Sequence, residues 1–140
     1  MFKKVVVPVD PGEIEFARKA VENAVAMVVP GGEIRLVSVM VPMGGYVSEF
    51  LPADFEANLE KETDDRMKEI AKAIAHDGKA ISTSLRMGSI YHEVLDEAQE
   101  FGADLIVISS HRPAMSTYLL GSNAAKIVRH ALCSVLVLRD

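Results

Sequence analysis

The chain has 140 residues, 49% apolar and 25% charged, with 9 Gly and 6 Pro, a balance that fits one compact domain and excludes disorder, collagen and low complexity. Its 20 Asp and Glu against 15 Lys and Arg leave a formal net charge of −5, which argues against a nucleic-acid binder or an anionic-membrane binder, because both need a basic field. The single cysteine, Cys133, removes any internal disulfide framework or multi-cysteine metal site and accords with a reducing, cytoplasmic setting.

In chain order, Val5, Val6, Val7 and Val9 form a β-branched run closed by Pro8, Asp10, Pro11 and Gly12, which predicts a buried strand ending in a polar turn. The run is too short for a secretory signal. From Glu13 to Val29, Ile14, Ala17, Val21, Ala24, Val25 and Val28 recur at three and four residues, the stripe of a core-facing helix that Pro30, Gly31 and Gly32 are expected to stop. The longest clean apolar run outside the first strand, Ala24 to Val29, is far short of the roughly 20 residues that span a bilayer. Ile34 to Val41 reads as a second strand, and Pro42, Met43, Gly44 and Gly45 open an irregular connection.

A long charged helix is predicted from Asp54 to His76, with Phe55, Leu59, Met67, Ile70 and Ile74 as its apolar stripe. Ala80 to Met87 is a third strand ending at Gly88. Ser89 stands as N-cap of a helix carrying Ile90, Val94, Ala98 and Phe101, and Gly102 sits where a terminating glycine would. Asp104 to Ile108 is a buried strand. A polar loop follows, then a short helix from Ser122 to about His130 and a last strand, Val135 to Leu138.

Strict alternation of near-continuous apolar strands with helices predicts an α/β fold: a three-layer sandwich with a parallel sheet covered on both faces and right-handed crossovers. The pattern does not reveal strand order, and no repeat or linker divides residues 1–140. In such sheets ligands bind outside the carboxyl ends of the strands. Those ends read Pro8 and Asp10, then Val39 and Met40, then Gly88, then Ser109-Ser110-His111-Arg112, which leads into Gly121-Ser122-Asn123. A Gly-Ser pair opening a helix offers unpaired N–H groups, a hydroxyl and a partial positive charge, which suits a phosphate. Ser122 as a plain cap after a turn glycine is the competing reading. Arg112 can grip a phosphate with two prongs and His111 can donate to it, or both can belong to a solvated basic loop. Asp10 can accept from a ribose hydroxyl or an adenine amine, or close an Asx-turn before Pro11.

Walker A, Gly-x-Gly-x-x-Gly, Gly-x-Ser-x-Gly and His-Glu-x-x-His patterns are all absent. His76, His92, His111 and His130 show no metal-ligand spacing, and only His111 falls in the candidate site. Cys133, with no partner beside it in sequence, reads as structural. No catalytic residue and no metal site is assigned.

The first strand, Lys3 to Asp10, and the block from Ala103 to Leu138, with its Ser-Ser-His-Arg-Pro and Leu-Leu-Gly-Ser-Asn-Ala, resemble the universal stress protein family over essentially the whole chain. The resemblance implies a five-stranded parallel sheet in the order 3-2-1-4-5, a homodimer paired along the last strand, and in many members a bound ATP or AMP, with Mg2+ as a candidate companion. ATP-binding members carry Gly-x-x-Gly, nine residues, then Gly-Ser or Gly-Thr. Here Gly121 and Ser122 fit the end, but Ser109 and Arg112 stand at the first two glycines, and only eight residues, Pro113 to Leu120, intervene. This is similar to the branch reading Ser-His-x-Pro, found in small bacterial stress proteins and transporter-linked regulators. Carried over by position, Pro8, Asp10 and Val39 would line the adenosine, and Ser109, His111, Arg112, Gly121, Ser122, Asn123 and Ala124 the ribose and phosphates. The implied role is a stress-response or regulatory switch; the alternative is a dimeric interaction module of the same fold that holds no nucleotide.

Overall fold

The computed structural model describes residues 1–10, 12–42, 45, 49–74, 78–109 and 122–139. Their elements alternate in chain order: strand β1 (Phe2–Pro8), a 3-10 turn (Ile14–Phe16), helix α1 (Ala17–Met27), β2 (Val28–Met40), α2 (Phe55–Ala73), β3 (Ala80–Met87), α3 (Ile90–Phe101), β4 (Leu105–Ser109), α4 (Ser122–His130) and β5 (Ser134–Leu138). The five strands form one parallel sheet in the order β3-β2-β1-β4-β5, the order that the family resemblance implies.

Why the strands are apolar without alternation follows from what covers them. Val5, Val7 and Val9 point to one face and pack with Ile14, Val21 and Met67, whereas Val6 points to the other and packs with Val94, Phe101 and Ile127. Strand β4 divides the same way, Leu105 and Val107 to the first face, Ile106 and Ile108 to the second. Both layers of helices therefore draw on one pair of central strands, and each fully buried Val, Leu or Ile contributes about 1.5–3 kcal/mol.

Two boundaries differ from the sequence expectation. The first helix begins at Ala17, after the 3-10 turn, and Pro30-Gly31-Gly32 does not separate helix from strand, because β2 already starts at Val28. Phe2 pairs with Val28 and Lys4 with Glu33, so the extra residues of β2 bulge out of the ladder. Two glycines make this bulge feasible. Gly31 has φ +82°, in the left-handed region, and a Cβ on Gly32 would lie 2.9 Å from the backbone oxygens of Lys3 and Val29. The later elements run close to prediction. Helix α2 ends at Ala73, while the predicted terminus His76 lies outside the described residues. Gly102 closes α3 at φ +76°, and Ala103 N–H returns to Ala98 O at 2.8 Å. Ser89 occupies the N-cap in an extended conformation, but its hydroxyl makes no cap hydrogen bond.

An ion-pair cluster ties β2 and β3 to α3. Arg86 Nε donates to Glu93 Oε1 at 2.8 Å and Arg86 Nη1 to Glu100 Oε2 at 2.9 Å, and these carboxylates hold the guanidinium charged well above its ordinary range. Arg35 lies 3.6 Å from Glu97 Oε2 and covers the Phe101 ring at 4.5 Å. Glu97 is 4% exposed, so removing a partner from this set strands a buried charge and costs about 3–5 kcal/mol.

The bulge makes a sharp prediction. Gly32→Ala forces a Cβ against two backbone oxygens and is expected to lower stability by about 1–3 kcal/mol, read as an earlier urea midpoint at unchanged slope. An unchanged midpoint would show that the β1–β2 bulge can open without cost.

Candidate functional site

A central strand hydrogen-bonds on both sides, its residues turning alternately to one neighbour and the other. Lys4 turns to β4, for its carbonyl accepts from Asp104 N–H at 2.9 Å and its N–H donates to Asp104 Oδ1 at 3.0 Å. Val9 turns to the opposite side, donating to Val37 O at 2.7 Å and accepting from the Ser38 hydroxyl at 2.9 Å. By this alternation the nitrogen of Pro8 is turned toward β4, and proline has no hydrogen to give. The ladder between β1 and β4 is confined to Val5↔Leu105 and Val6↔Ile106, although both strands continue. The bridge ladder between β1 and β4 thus stops at Ile106, at the point where the winding of the sheet reverses.

The described residues predicted from sequence gather at this end of the sheet. Pro8 is buried at the end of β1. Asp10 follows in an Asx-turn, its Oδ1 accepting from Gly12 N–H at 2.8 Å while its carbonyl accepts from Glu13 N–H at 3.0 Å. The turn half of the two-way reading of Asp10 is therefore present, and it fixes the carboxylate at the strand end. Val39 is 1% exposed and its side chain packs on the α3–α4 face. Its main chain is the informative part. Since Val37 O serves β1 and Met40 O accepts from Gly88 N–H at 3.0 Å on the β3 side, Val39 turns its N–H and C=O to the β1 side, past the last pair of that ladder, Pro8↔Val37.

Ser109 ends β4, half-buried and paired with Leu138. Helix α4 runs back from the same pole to feed the parallel strand β5, so its first turn, with exposed Ser122 and half-buried Asn123 and Ala124, sits at the strands' carboxyl ends. The N–H groups of that turn have no carbonyl of their own helix to bind, and they carry the positive end of the helix dipole. Pro8, Asp10, Val39, Ser109, Ser122, Asn123 and Ala124 thus occupy one pole. His111, Arg112 and Gly121 lie outside the described residues. A carboxylate and a helix N-terminus at one pole are groups that can meet the hydroxyls and the phosphate of a small anionic ligand.

Ser38 escapes sequence reading, whereas Gly88 is read there as the end of the third strand. Ser38 is wholly buried, and its hydroxyl binds the last β1 carbonyl to β2; the available signal was a lone polar residue within an apolar strand. Gly88, at φ +147°, lies in a conformation side chains avoid, and a Cβ there would meet the Glu93 side chain at 3.0 Å. Of the described histidines, His92 forms a cluster with Glu93 and Asp96 on α3, but Glu93 is already engaged by Arg86. Among the described residues, no helix is long and apolar enough to cross a membrane.

Comparison with known proteins places this geometry among relatives. The family model described as the universal stress protein family matches residues 1–139. Universal stress protein G of Shigella flexneri is 37% identical over 142 residues, covering 99% of this chain and 100% of the relative. Among solved structures, hypothetical protein MJ0577 superposes with a TM-score of 0.80 at 25% identity, over 100% of this chain and 97% of its own. A universal stress protein from Archaeoglobus fulgidus, solved in complex with dAMP, superposes with a TM-score of 0.69 at 22% identity, over 96% of both chains.

Ser38→Ala leaves the Val9 carbonyl without its hydroxyl donor. A loss of about 1–3 kcal/mol is expected in urea unfolding, and no loss would show that Val9 O finds another partner when the hydroxyl is gone.

Proposed function

Because the chain belongs to the universal stress protein family, we propose that it binds an adenine nucleotide, ATP or AMP, at the carboxyl ends of its strands. In this reading it acts as a stress-response or regulatory switch whose state follows nucleotide occupancy. The observation that carries the proposal is the reversal of winding between β1 and β4, where the ladder stops below Pro8, with the Asp10 carboxylate and the first turn of α4 at the same pole. The adenosine lies against Pro8, Asp10 and Val39, with a ribose hydroxyl donating to Asp10, and the phosphates lie at Ser122, Asn123 and Ala124, beside Ser109. His111, Arg112 and Gly121 join the phosphate set by their place in the sequence, and Mg2+ accompanies the phosphates of ATP. The dAMP held by the Archaeoglobus fulgidus relative supports this ligand class.

The same reading assigns no general base, so hydrolysis is slow at most, and a turnover near 1 per second or faster would overturn it. We place the protein in the cytoplasm and make it a homodimer through β5. Support for the pairing comes from the two sheet edges. Strand β3 presents Ser82, Thr83, Ser84 and Arg86, which discourage pairing, whereas Val135, Leu136, Val137 and Leu138 of β5 are all apolar and half-buried. Val137→Lys is expected to shift the sedimenting species from dimer to monomer; a monomer before mutation refutes the pairing.

A second reading has a specific observation behind it. Ser109 and Arg112 stand where the family pattern has glycines, and a side chain there can close the pocket and leave a dimeric interaction module. The two readings separate on one experiment. The purified protein is denatured, the supernatant is analysed for adenine nucleotide, and the stripped protein is titrated with ATP and AMP with and without Mg2+; with no Trp and 3 Tyr, adenine absorbance stands clear. Copurified nucleotide, or a dissociation constant around micromolar, about −8 kcal/mol, is expected, weakened in both Ser122→Ala and Arg112→Ala. Unchanged affinity in both variants removes the site, and tighter binding in Arg112→Gly favours the closed module.

A further inference from the structure

Ser38 sits in the most apolar stretch of β2, with Leu36 and Val37 before it and Val39 and Met40 after it, all of them buried as it is. A hydroxyl in such surroundings costs stability unless it is hydrogen-bonded, and its bond reaches across to the first strand: Ser38 Oγ donates to Val9 O at 2.9 Å. Val9, itself buried, lies just past the last ladder pair of β1 and β2, Pro8↔Val37. Both of its main-chain polar groups are held by consecutive residues of β2, because its N–H donates to Val37 O at 2.7 Å.

The consequence falls on the next residue. The Val9 carbonyl and the Asp10 N–H belong to one planar peptide, so a hydrogen bond that fixes the carbonyl also fixes the direction in which the chain leaves the sheet at Asp10. From there the Asx-turn takes over, with Asp10 Oδ1 accepting from Gly12 N–H at 2.8 Å and Asp10 O from Glu13 N–H at 3.0 Å. Those two bonds set the carboxylate within its own turn, and Val9 sets the turn against the sheet. A carboxylate accepts at about four sites, so the Gly12 bond does not exhaust Asp10. Ser38 is wholly buried and stands behind the acidic group of the carboxyl pole without lining that pole itself.

We propose that Ser38 is a positioning residue of the nucleotide site: by holding the Val9 carbonyl it aims the Asp10 carboxylate at a ribose hydroxyl, and the preference of the site for a ligand with ribose hydroxyls depends on it. The inference rests on the nucleotide reading above and adds to it a residue that acts only through another. A hydroxyl that merely satisfied a buried carbonyl would matter to stability and not to which ligand is chosen.

Calorimetric titration compares whichever of ATP and AMP binds the parent with its 2′,3′-dideoxy counterpart, which has no ribose hydroxyl to offer. A hydrogen bond to a charged group makes the parent prefer the ribonucleotide by about tenfold or more. Ser38→Ala is expected to bring that ratio to about threefold or less by weakening the ribonucleotide, while the dideoxy compound binds within about twofold of its parent dissociation constant. Gly32→Ala, with a comparable loss of stability expected at the opposite pole, keeps the parent ratio. Where Ser38→Ala does not fold, Ser38→Cys takes its place with a donor too weak to hold the carbonyl, and the same fall in the ratio is expected. An unchanged ratio in the Ser38 variant, or an equal fall in Gly32→Ala, overturns the positioning role and leaves the nucleotide reading standing. A parent that binds neither compound overturns that reading and this inference with it. A parent ratio near one, with nucleotide bound, removes Asp10 as the ribose acceptor and so removes what Ser38 is proposed to position.

Discussion

One missing hydrogen shapes this molecule. Strand β1 lies at the centre of the sheet, where each residue must satisfy a neighbour on one side or the other, and Pro8 falls at a position turned toward β4 with no N–H to donate. Proline inside a central strand breaks its ladder, so it is tolerated only where the strand is about to end. Here the break coincides with the reversal of winding, and Ser38 ties the end of β1 to β2 by donating to Val9 O.

Both faces of β1 and β4 are buried along their length, from Val5 to Val9 and from Leu105 to Ile108, and the helices on the two faces share these strands without sharing side chains. On the β3 side the fold uses charge instead. Arg86, engaged by Glu93 and Glu100, fixes the corner at which Gly88 turns into α3, so that the edge strand is clasped to a helix where β1 is packed between two layers.

How much of this was legible in the chain depends on how local the cause is. Strand β3 and helix α3 fall almost on their predicted limits because Gly88, Ser89 and Gly102 are local signals of turn, cap and stop. The start of β2 was not legible: Pro30-Gly31-Gly32 reads as a terminator by composition, and only the nearby Lys3 carbonyl shows that glycine is needed to let two strands approach. Strand order was likewise invisible to periodicity and came from family resemblance. In the site, Asp10 and Ser122 were found because each follows or opens an element, whereas Ser38 was hidden inside a strand and acts through a carbonyl 29 positions away.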